Sequence, residues 1–153
     1  MGPPIIFDAG SRAALGRRVT QRGLNEFAAI LQKRVSKGLP FNCMIAGDDE
    51  LRRLNKQFRK KNQATDVLSF PADHSISKEK LIGELAISAD RALEQSREYG
   101  HSIGDEIKIL MLHGVLHLTG LDHEVDAGEM ARTETRWRKT LGLPTGLIER
   151  TRS

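Results

Sequence analysis

Apolar residues occur along the chain in two patterns, short continuous runs and residues spaced three and four positions apart. The alternation of these two patterns outlines the predicted secondary structure. Short runs rich in β-branched and aromatic residues predict strands. Apolar residues three and four positions apart predict amphipathic helices. The predicted strands are residues 4–8, 41–47, 65–70 and 82–88, and the predicted helices outside the most apolar segment are residues 23–38, 49–61, 89–100 and 126–142.

The second of these helices has two different faces. Leu51, Leu54 and Phe58 recur at helical spacing and predict its buried side, and Asp48 precedes it as a predicted N-cap. Its other face is basic. This basic run contains Arg52, Arg53, Lys56, Arg59, Lys60 and Lys61.

The most apolar segment predicts a helix from about Ile103 to about Leu118. Ser102 and Asp105 have the spacing of a capping box at its start. Because this helix is apolar nearly all round, we expect it to be buried in the middle of the domain.

Composition narrows the class of protein. A chain of 153 residues, 39% hydrophobic and 29% charged, predicts one globular domain over residues 1–153. No apolar stretch is long enough to span a bilayer and the N-terminus does not resemble a secretory signal, so we expect a cytoplasmic protein. Cys43, the one cysteine, excludes an intramolecular disulfide and predicts a core residue. The net charge of +4 permits an anionic partner.

Three of the five histidines fall within eleven residues, in "HGVLHLTGLDH". His113 and His117 are four apart, so a helix places them on one face, one turn apart, where both can reach one ion. Gly120 permits a sharp turn after which His123 can return as a third ligand. Three protein ligands leave a position open, which is typical of a catalytic metal site. Imidazoles suit zinc best, although nickel and copper also favour them.

Gly114 separates this motif from the zinc-protease signature with the same spacing. That signature has a glutamate base at the position of Gly114, and peptide hydrolysis needs this carboxylate beside the metal. Peptide hydrolysis is therefore disfavoured. Asp122 and Glu124 flank His123 and are alternative sources of a base or of a hydrogen bond to a ligand.

Three other polar residues are interpreted as solvated or as local hydrogen-bond acceptors. His74 and His101 lie in predicted loops and are expected to be solvated. Asp66, at the start of a predicted strand, is expected mainly to accept local backbone hydrogen bonds.

Three segments together resemble the bacterial YbeY family of ribosomal-RNA maturation factors. They are "LNKQFRKKNQATDVLSFP", "IGELAIS" and "HGVLHLTGLDHE", and the resemblance extends from Met44 to about Leu147. It implies an α+β fold of zincin-like type, with a small mixed four-stranded sheet, a central metal-binding helix and flanking helices.

The resemblance also implies site residues. His113, His117 and His123 become ligands of one zinc ion per chain, and Arg59 lies in the active-site cleft. Arg59 and His113 are then the catalytic residues. Departures from the family pattern occur where it commonly has a tyrosine, an acidic residue and an aspartate; they are Leu121, Asn62 and Glu84.

The implied function is that of a zinc-dependent, single-strand-specific endoribonuclease in rRNA maturation, notably at the 16S rRNA 3′ end, and in ribosome quality control. The implied partners are single-stranded rRNA and the small ribosomal subunit or its assembly factors, with neither DNA nor a membrane. The metal would polarise a phosphate oxygen or lower the pKa of bound water towards ~7. Attack by the RNA 2′-hydroxyl and attack by water both stay open. The alternatives are a non-catalytic ribosome-binding factor with a structural metal and a metallohydrolase of another substrate class.

Overall fold

The computed structural model describes residues 5–59, 65–72, 81–121 and 128–144. These ranges contain four strands, six α-helices and a short 3-10 turn at Gly16–Arg18. The strands are β1 (Ile5–Phe7), β2 (Phe41–Ala46), β3 (Val67–Pro71) and β4 (Gly83–Ser88). The helices are α1 (Ala9–Leu15), α2 (Gln21–Arg34), α3 (Asp48–Arg59), α4 (Ala89–Tyr99), α5 (Ile103–Leu118) and α6 (Glu129–Thr140).

The four strands form one mixed sheet in the order β1-β2-β4-β3. β1, β2 and β4 are parallel, whereas β3 runs antiparallel to β4 at the edge. The predictions of an α+β fold with a small mixed four-stranded sheet, and of β3 and β4 as neighbours, are therefore confirmed. The zincin-like assignment and the single domain over residues 1–153 stay predictions.

The sheet is covered differently on its two faces. Leu85 and Ile87 point into the larger core, which they share with α5. Ala86, between them, points to the opposite face and packs with Leu51 and Leu54 of α3. This alternation follows from the two-residue period of a strand, and it separates α5 from α3 by the thickness of the sheet.

Helix α5 has the predicted bounds and the predicted burial. The hydroxyl of Ser102 accepts a hydrogen bond from the backbone N–H of Asp105, at 3.0 Å, and so caps the helix. Nearly every residue from Ile103 to Leu116 is buried, and α5 contacts α2, α4, α6, β3 and β4. The prediction of a central buried helix is confirmed. Among the described residues, no helix is both long and apolar enough to cross a membrane.

Cys43 lies in the core as predicted, because β2 directs it into the larger cluster. Burial raises the pKa of the Cys43 thiol to about 12. The thiol therefore stays protonated at neutral pH, as expected for a residue that packs and does not react.

Helix α3 departs from prediction at both ends. It begins at Asp48 itself, whose carboxylate accepts a hydrogen bond from the Ser88 hydroxyl at 2.7 Å. The prediction that Phe58 is buried is wrong, since 59% of it is exposed. Its ring meets Phe70 of the edge strand β3 at a centroid distance of 5.3 Å and lines an open groove of about 620 Å³. The apolar period continues one turn past Leu54, but that turn borders the open groove, so most of the Phe58 side chain stays exposed.

Helix α1 was not predicted from the sequence. Its seven residues include only Ser11 and Leu15 as buried positions, so no apolar period marks it. It is defined instead by its N-cap, because Oδ1 of Asp8 accepts from the backbone N–H of Ser11 at 2.7 Å. Oδ2 of Asp8 accepts from the N–H of Gly47 at 3.2 Å, which ties α1 to the end of β2.

Replacement of Asp8 by alanine is expected to lower the free energy of unfolding at pH 7 by about 1 kcal/mol, the usual loss for an N-cap. Burial alone raises the pKa of Asp8, but the hydrogen bonds from Ser11 and Gly47 outweigh burial and hold the pKa below its usual value. The contribution of the charge is therefore present above the unfolded pKa of about 3.9 and is lost as the pH falls through the folded pKa. Urea unfolding of the wild type and of Asp8→Ala at pH 7 and pH 3 measures the difference in free energy of unfolding.

Asp8→Asn is the matched control, because asparagine retains a cap acceptor without the charge. The difference in free energy of unfolding between Asp8→Asn and the wild type should be smaller at pH 3 than at pH 7. An equal difference at both pH values would contradict the role given to the charge of Asp8.

Candidate metal centre

Two of the three predicted ligands lie side by side on α5. The ring centroids of His113 and His117 are 4.8 Å apart, with the ring planes inclined by 72°. His113 is buried, whereas His117, one turn nearer the end of the helix, is half-buried. The predicted juxtaposition of these two imidazoles is present in the structure, at the border between the core and the surface.

His113 is held by a carboxylate from another helix. Nδ1 of His113 lies 2.7 Å from Oε2 of Glu134 on α6, within hydrogen-bond distance, and both side chains are buried. Sequence reasoning did not single out Glu134. A signal was available, because Met130, Ala131 and Glu134 follow one buried helix face, so that a carboxylate occupies an apolar stripe.

The third predicted ligand, His123, lies outside the described residues. The chain turns at Gly120, whose φ of +102° favours glycine and confirms the predicted sharp turn. The N–H of Gly120 donates to the carbonyl of His117 at 3.0 Å, which closes the helix end. Within the ranges that the structure describes, no group of three or more His, Cys, Asp or Glu side chains is placed to hold a metal ion. The ligand set therefore stays a prediction.

Gly114 lies against the sheet. A Cβ atom at this position would be 2.6 Å from Cδ2 of Leu85 and 3.3 Å from the Ser69 hydroxyl. That hydroxyl donates to the carbonyl of Gly114 at 3.2 Å and fastens α5 to the edge strand β3. A glutamate at this position, as in a zinc protease, would have to displace the buried Leu85, so the packing favours glycine here.

The ends of α3 and α5 meet the same end of the sheet, from opposite faces. Phe58 reaches Phe70 near the end of β3, and Leu118 approaches Gly83 at the start of β4, where a Cβ would be 2.5 Å from Cδ2 of Leu118. Arg59 is the last residue of α3, and its side chain lies outside the described part of the structure. The fold therefore brings the helix end bearing Arg59 and the helix end bearing the histidine pair to one end of the sheet.

The expectations for the three other polar residues, His101, His74 and Asp66, have different outcomes. The expectation that His101 is solvated is wrong: its side chain is 9% exposed, and Nε2 hydrogen-bonds Oε1 of the buried Glu106 at 2.6 Å. His74 lies outside the described residues. The local role of Asp66 is confirmed, since Oδ1 accepts from the N–H of Val67 at 2.8 Å.

The basic face of α3 is present as predicted over the residues that the structure describes. Arg52, Arg53 and Lys56 are exposed. Arg53 forms an ion pair with Glu50, and this hydrogen bond and charge raise the pKa of Arg53. Lys60 and Lys61 lie outside the described residues. The surface remains cationic, although one of its charges is locally compensated.

A mixed α+β protein with two adjacent histidines on a buried central helix is the class that the fold and the site define. Residues 14–142 match the family model described as Endoribonuclease YbeY. The chain belongs to the endoribonuclease YbeY family, which confirms the resemblance found in the sequence. The match begins at residue 14, well before the Met44 at which the resemblance became visible in the motifs.

Curated relatives support the same membership. Proteins named Endoribonuclease YbeY from Solibacter usitatus and Koribacter versatilis are 62% and 47% identical to the chain. The first alignment covers 85% of each protein, and the second covers 87% of this chain and 85% of the relative. The solution structure of TM1509 from Thermotoga maritima is 27% identical, with a TM-score of 0.55 over 87% of this chain and 85% of that one.

Proposed function

We propose that this protein is a zinc-dependent endoribonuclease that cuts single-stranded segments of ribosomal RNA in the cytoplasm. Its role would be rRNA maturation, notably at the 16S rRNA 3′ end, and ribosome quality control. The observation that carries the proposal is the pair of adjacent imidazoles, 4.8 Å apart, on the central helix of a chain that belongs to the endoribonuclease YbeY family.

The donor set fits zinc. His113 and His117 would supply two ring nitrogens from one helix face, and His123 the third. Since Nδ1 of His113 is bonded to Glu134, Nε2 is the nitrogen that His113 offers. When bound, zinc supplies Lewis-acid stabilisation of charge on the phosphodiester.

Cationic side chains would bind and orient the RNA. The guanidinium of Arg59 offers paired donors that match phosphate oxygens, and it stabilises the negative charge that develops during cleavage. The exposed Arg52 and Lys56 on the same helix would attract the phosphate backbone without regard to sequence. Since α3 and α5 end at the same end of the sheet, an RNA strand bound there can meet both groups.

The proposed partners follow from the same surface. An extended single strand could run across the end of the sheet that α3 and α5 both reach, whereas paired RNA keeps its bases stacked inside an A-form helix. A 2′-hydroxyl distinguishes RNA from DNA at such a site. Docking to the small ribosomal subunit or its assembly factors would deliver the rRNA segment to be cut.

Removal of the metal is expected to abolish cleavage. The purified protein is treated with a chelator, dialysed and tested on an end-labelled single-stranded rRNA fragment, with metal content determined before and after. We expect cutting at defined positions to fall about 100-fold or more, because several kcal/mol of charge stabilisation are lost. One equivalent of zinc should restore it.

The same sequence made as DNA, and as a fully paired RNA duplex, serves as the control and should not be cut. Cleavage that survives chelation, or that treats all three substrates alike, would contradict the proposal. One metal per chain without any cutting would instead favour a non-catalytic ribosome-binding factor with a structural metal.

A further inference from the structure

Helix α6 contacts the histidine pair through two buried side chains, Glu134 and His113. Glu134 has 1% of its side chain exposed and His113 has 7%. Nδ1 and Oε2 are 2.7 Å apart, a short and well-formed hydrogen bond. Burial of a carboxylate is unfavourable unless its partners compensate, and a buried ionisable pair is often less stabilising than apolar packing.

An apolar side chain would suit the position of Glu134 better if packing were the only requirement. Its helix neighbours Met130 and Ala131 are buried against the same core. The carboxylate in this stripe lies within hydrogen-bond distance of Nδ1 of His113, at 2.7 Å. The arrangement therefore gives His113 a defined hydrogen-bonding state.

Carboxylate oxygens accept hydrogen bonds, so Nδ1 of His113 carries the proton and donates it to Glu134. Nε2 is then the unprotonated nitrogen, whose lone pair is the one that can bind a metal ion, and the hydrogen bond holds the ring in one orientation. We propose that Glu134 is a positioning residue for the metal centre: it fixes the tautomer and ring orientation of His113 and increases the affinity of the site for zinc. This inference rests on the proposed function, because it assumes that His113 binds the metal.

The chain contains a second buried pair of the same kind. Oε1 of Glu106, on the first turns of α5, hydrogen-bonds Nε2 of His101 at 2.6 Å, and Glu106 is fully buried. Seven residues of helix, about 10 Å, separate Glu106 from His113. His101 lies in the connection between α4 and α5. Its ring stacks on that of Tyr99, the last residue of α4, at a centroid distance of 6.5 Å. Glu106 is therefore a matched control for loss of a buried carboxylate away from the histidine pair.

The test compares Glu134→Gln with Glu106→Gln. Zinc dissociation constants are measured by competition with a chromophoric chelator, and thermal unfolding is measured on the metal-free proteins. We expect Glu134→Gln to bind zinc about 10- to 100-fold more weakly. Glu106→Gln should change zinc affinity less than about threefold while lowering the Tm comparably, as expected for loss of one buried hydrogen bond. Equal zinc affinity for Glu134→Gln and the wild type would overturn the inference.

A second measurement needs no variant. Nitrogen-15 NMR of the metal-free wild type reports which ring nitrogen of His113 carries the proton, and we expect Nδ1. A proton on Nε2 would overturn the inference even if zinc binds and RNA is cut. If the wild type shows the Nδ1 proton but binds no zinc, the proposed metal function fails and the role of Glu134 in metal affinity fails with it, while the tautomer assignment stands.

Discussion

His117→Ala is expected to remove both zinc and RNA cleavage while the chain stays folded. His117 is half-buried near the end of α5, so its loss leaves a smaller void than the loss of a core side chain. The change removes one of three predicted nitrogen ligands, and two ligands do not hold a catalytic zinc ion firmly. We expect cleavage to fall about 1000-fold, equivalent to about 4 kcal/mol of activation free energy.

Arg59→Glu separates metal binding from cleavage. This variant should retain one zinc ion and lose cleavage by about 100- to 1000-fold, because a charged donor set is replaced by a charge that repels phosphate. Arg59→Lys should recover part of the loss, since lysine keeps the charge without the paired donors.

Arg52→Glu is the matched control, because it makes the same charge change at an exposed position of the same helix. Its effect should be confined to RNA binding and should shrink as the salt concentration rises. The measurements are cleavage of an end-labelled rRNA fragment, zinc content and circular dichroism on identically purified proteins.

Three outcomes of this series would count against the proposal. If every variant cuts like the wild type, the activity belongs to a contaminating nuclease. If His117→Ala unfolds and Arg59→Glu weakens RNA binding with no cleavage to lose, the metal is structural and the protein is a binding factor. If Arg59→Glu and Arg52→Glu lose cleavage equally, Arg59 has no special place at the site.

Gly114→Glu is expected to destabilise the protein by more than about 3 kcal/mol and to give no peptidase activity. The new Cβ would lie 2.6 Å from Leu85 in a packed core, and a carboxylate without a partner would then be buried beyond it. Restoring the zinc-protease sequence therefore does not restore its chemistry, because position 114 faces the sheet. Urea unfolding and a fluorogenic peptide assay measure the two effects.

Gly104→Ala is the control for helix propensity. Gly104 lies in the same helix, and the nearest atom to its added Cβ would be 3.9 Å away, which is ordinary contact. This change should leave stability unaltered or raise it by up to about 1 kcal/mol. Tolerance of Gly114→Glu to within 1 kcal/mol would show that Leu85 gives way and that the close packing at position 114 does not matter.

Local pattern predicted those parts of the site that depend on one element. His113 and His117 meet because an α-helix places residues four apart on one face, whatever surrounds the helix. The bounds of α5 followed from Ser102 and the apolar run for the same reason. The ligand pair was therefore visible in the sequence.

Predictions that needed the extent of a neighbouring element were less successful. The spacing of Phe58 gives the direction in which its ring points, but only the packing of α3 against the sheet decides how much of the ring is covered. His101 was placed in a loop and judged solvated, although Glu106 faces inwards from the next helix and draws it into the interior. Both errors arise because the spacing of apolar residues describes a single segment, whereas the exposure of a side chain also depends on the neighbouring segment that packs against it.

The sequence by itself determined the family, the central helix, the histidine pair and the glycine between those histidines. Tertiary structure decided that Glu134 meets His113 across 21 positions of chain and that Gly114 lies against Leu85. It also decided that the helix ending at Arg59 reaches the same end of the sheet as the histidines. Helical spacing is set by backbone hydrogen bonds a few residues apart, whereas these contacts depend on how separate elements pack, which no local pattern encodes.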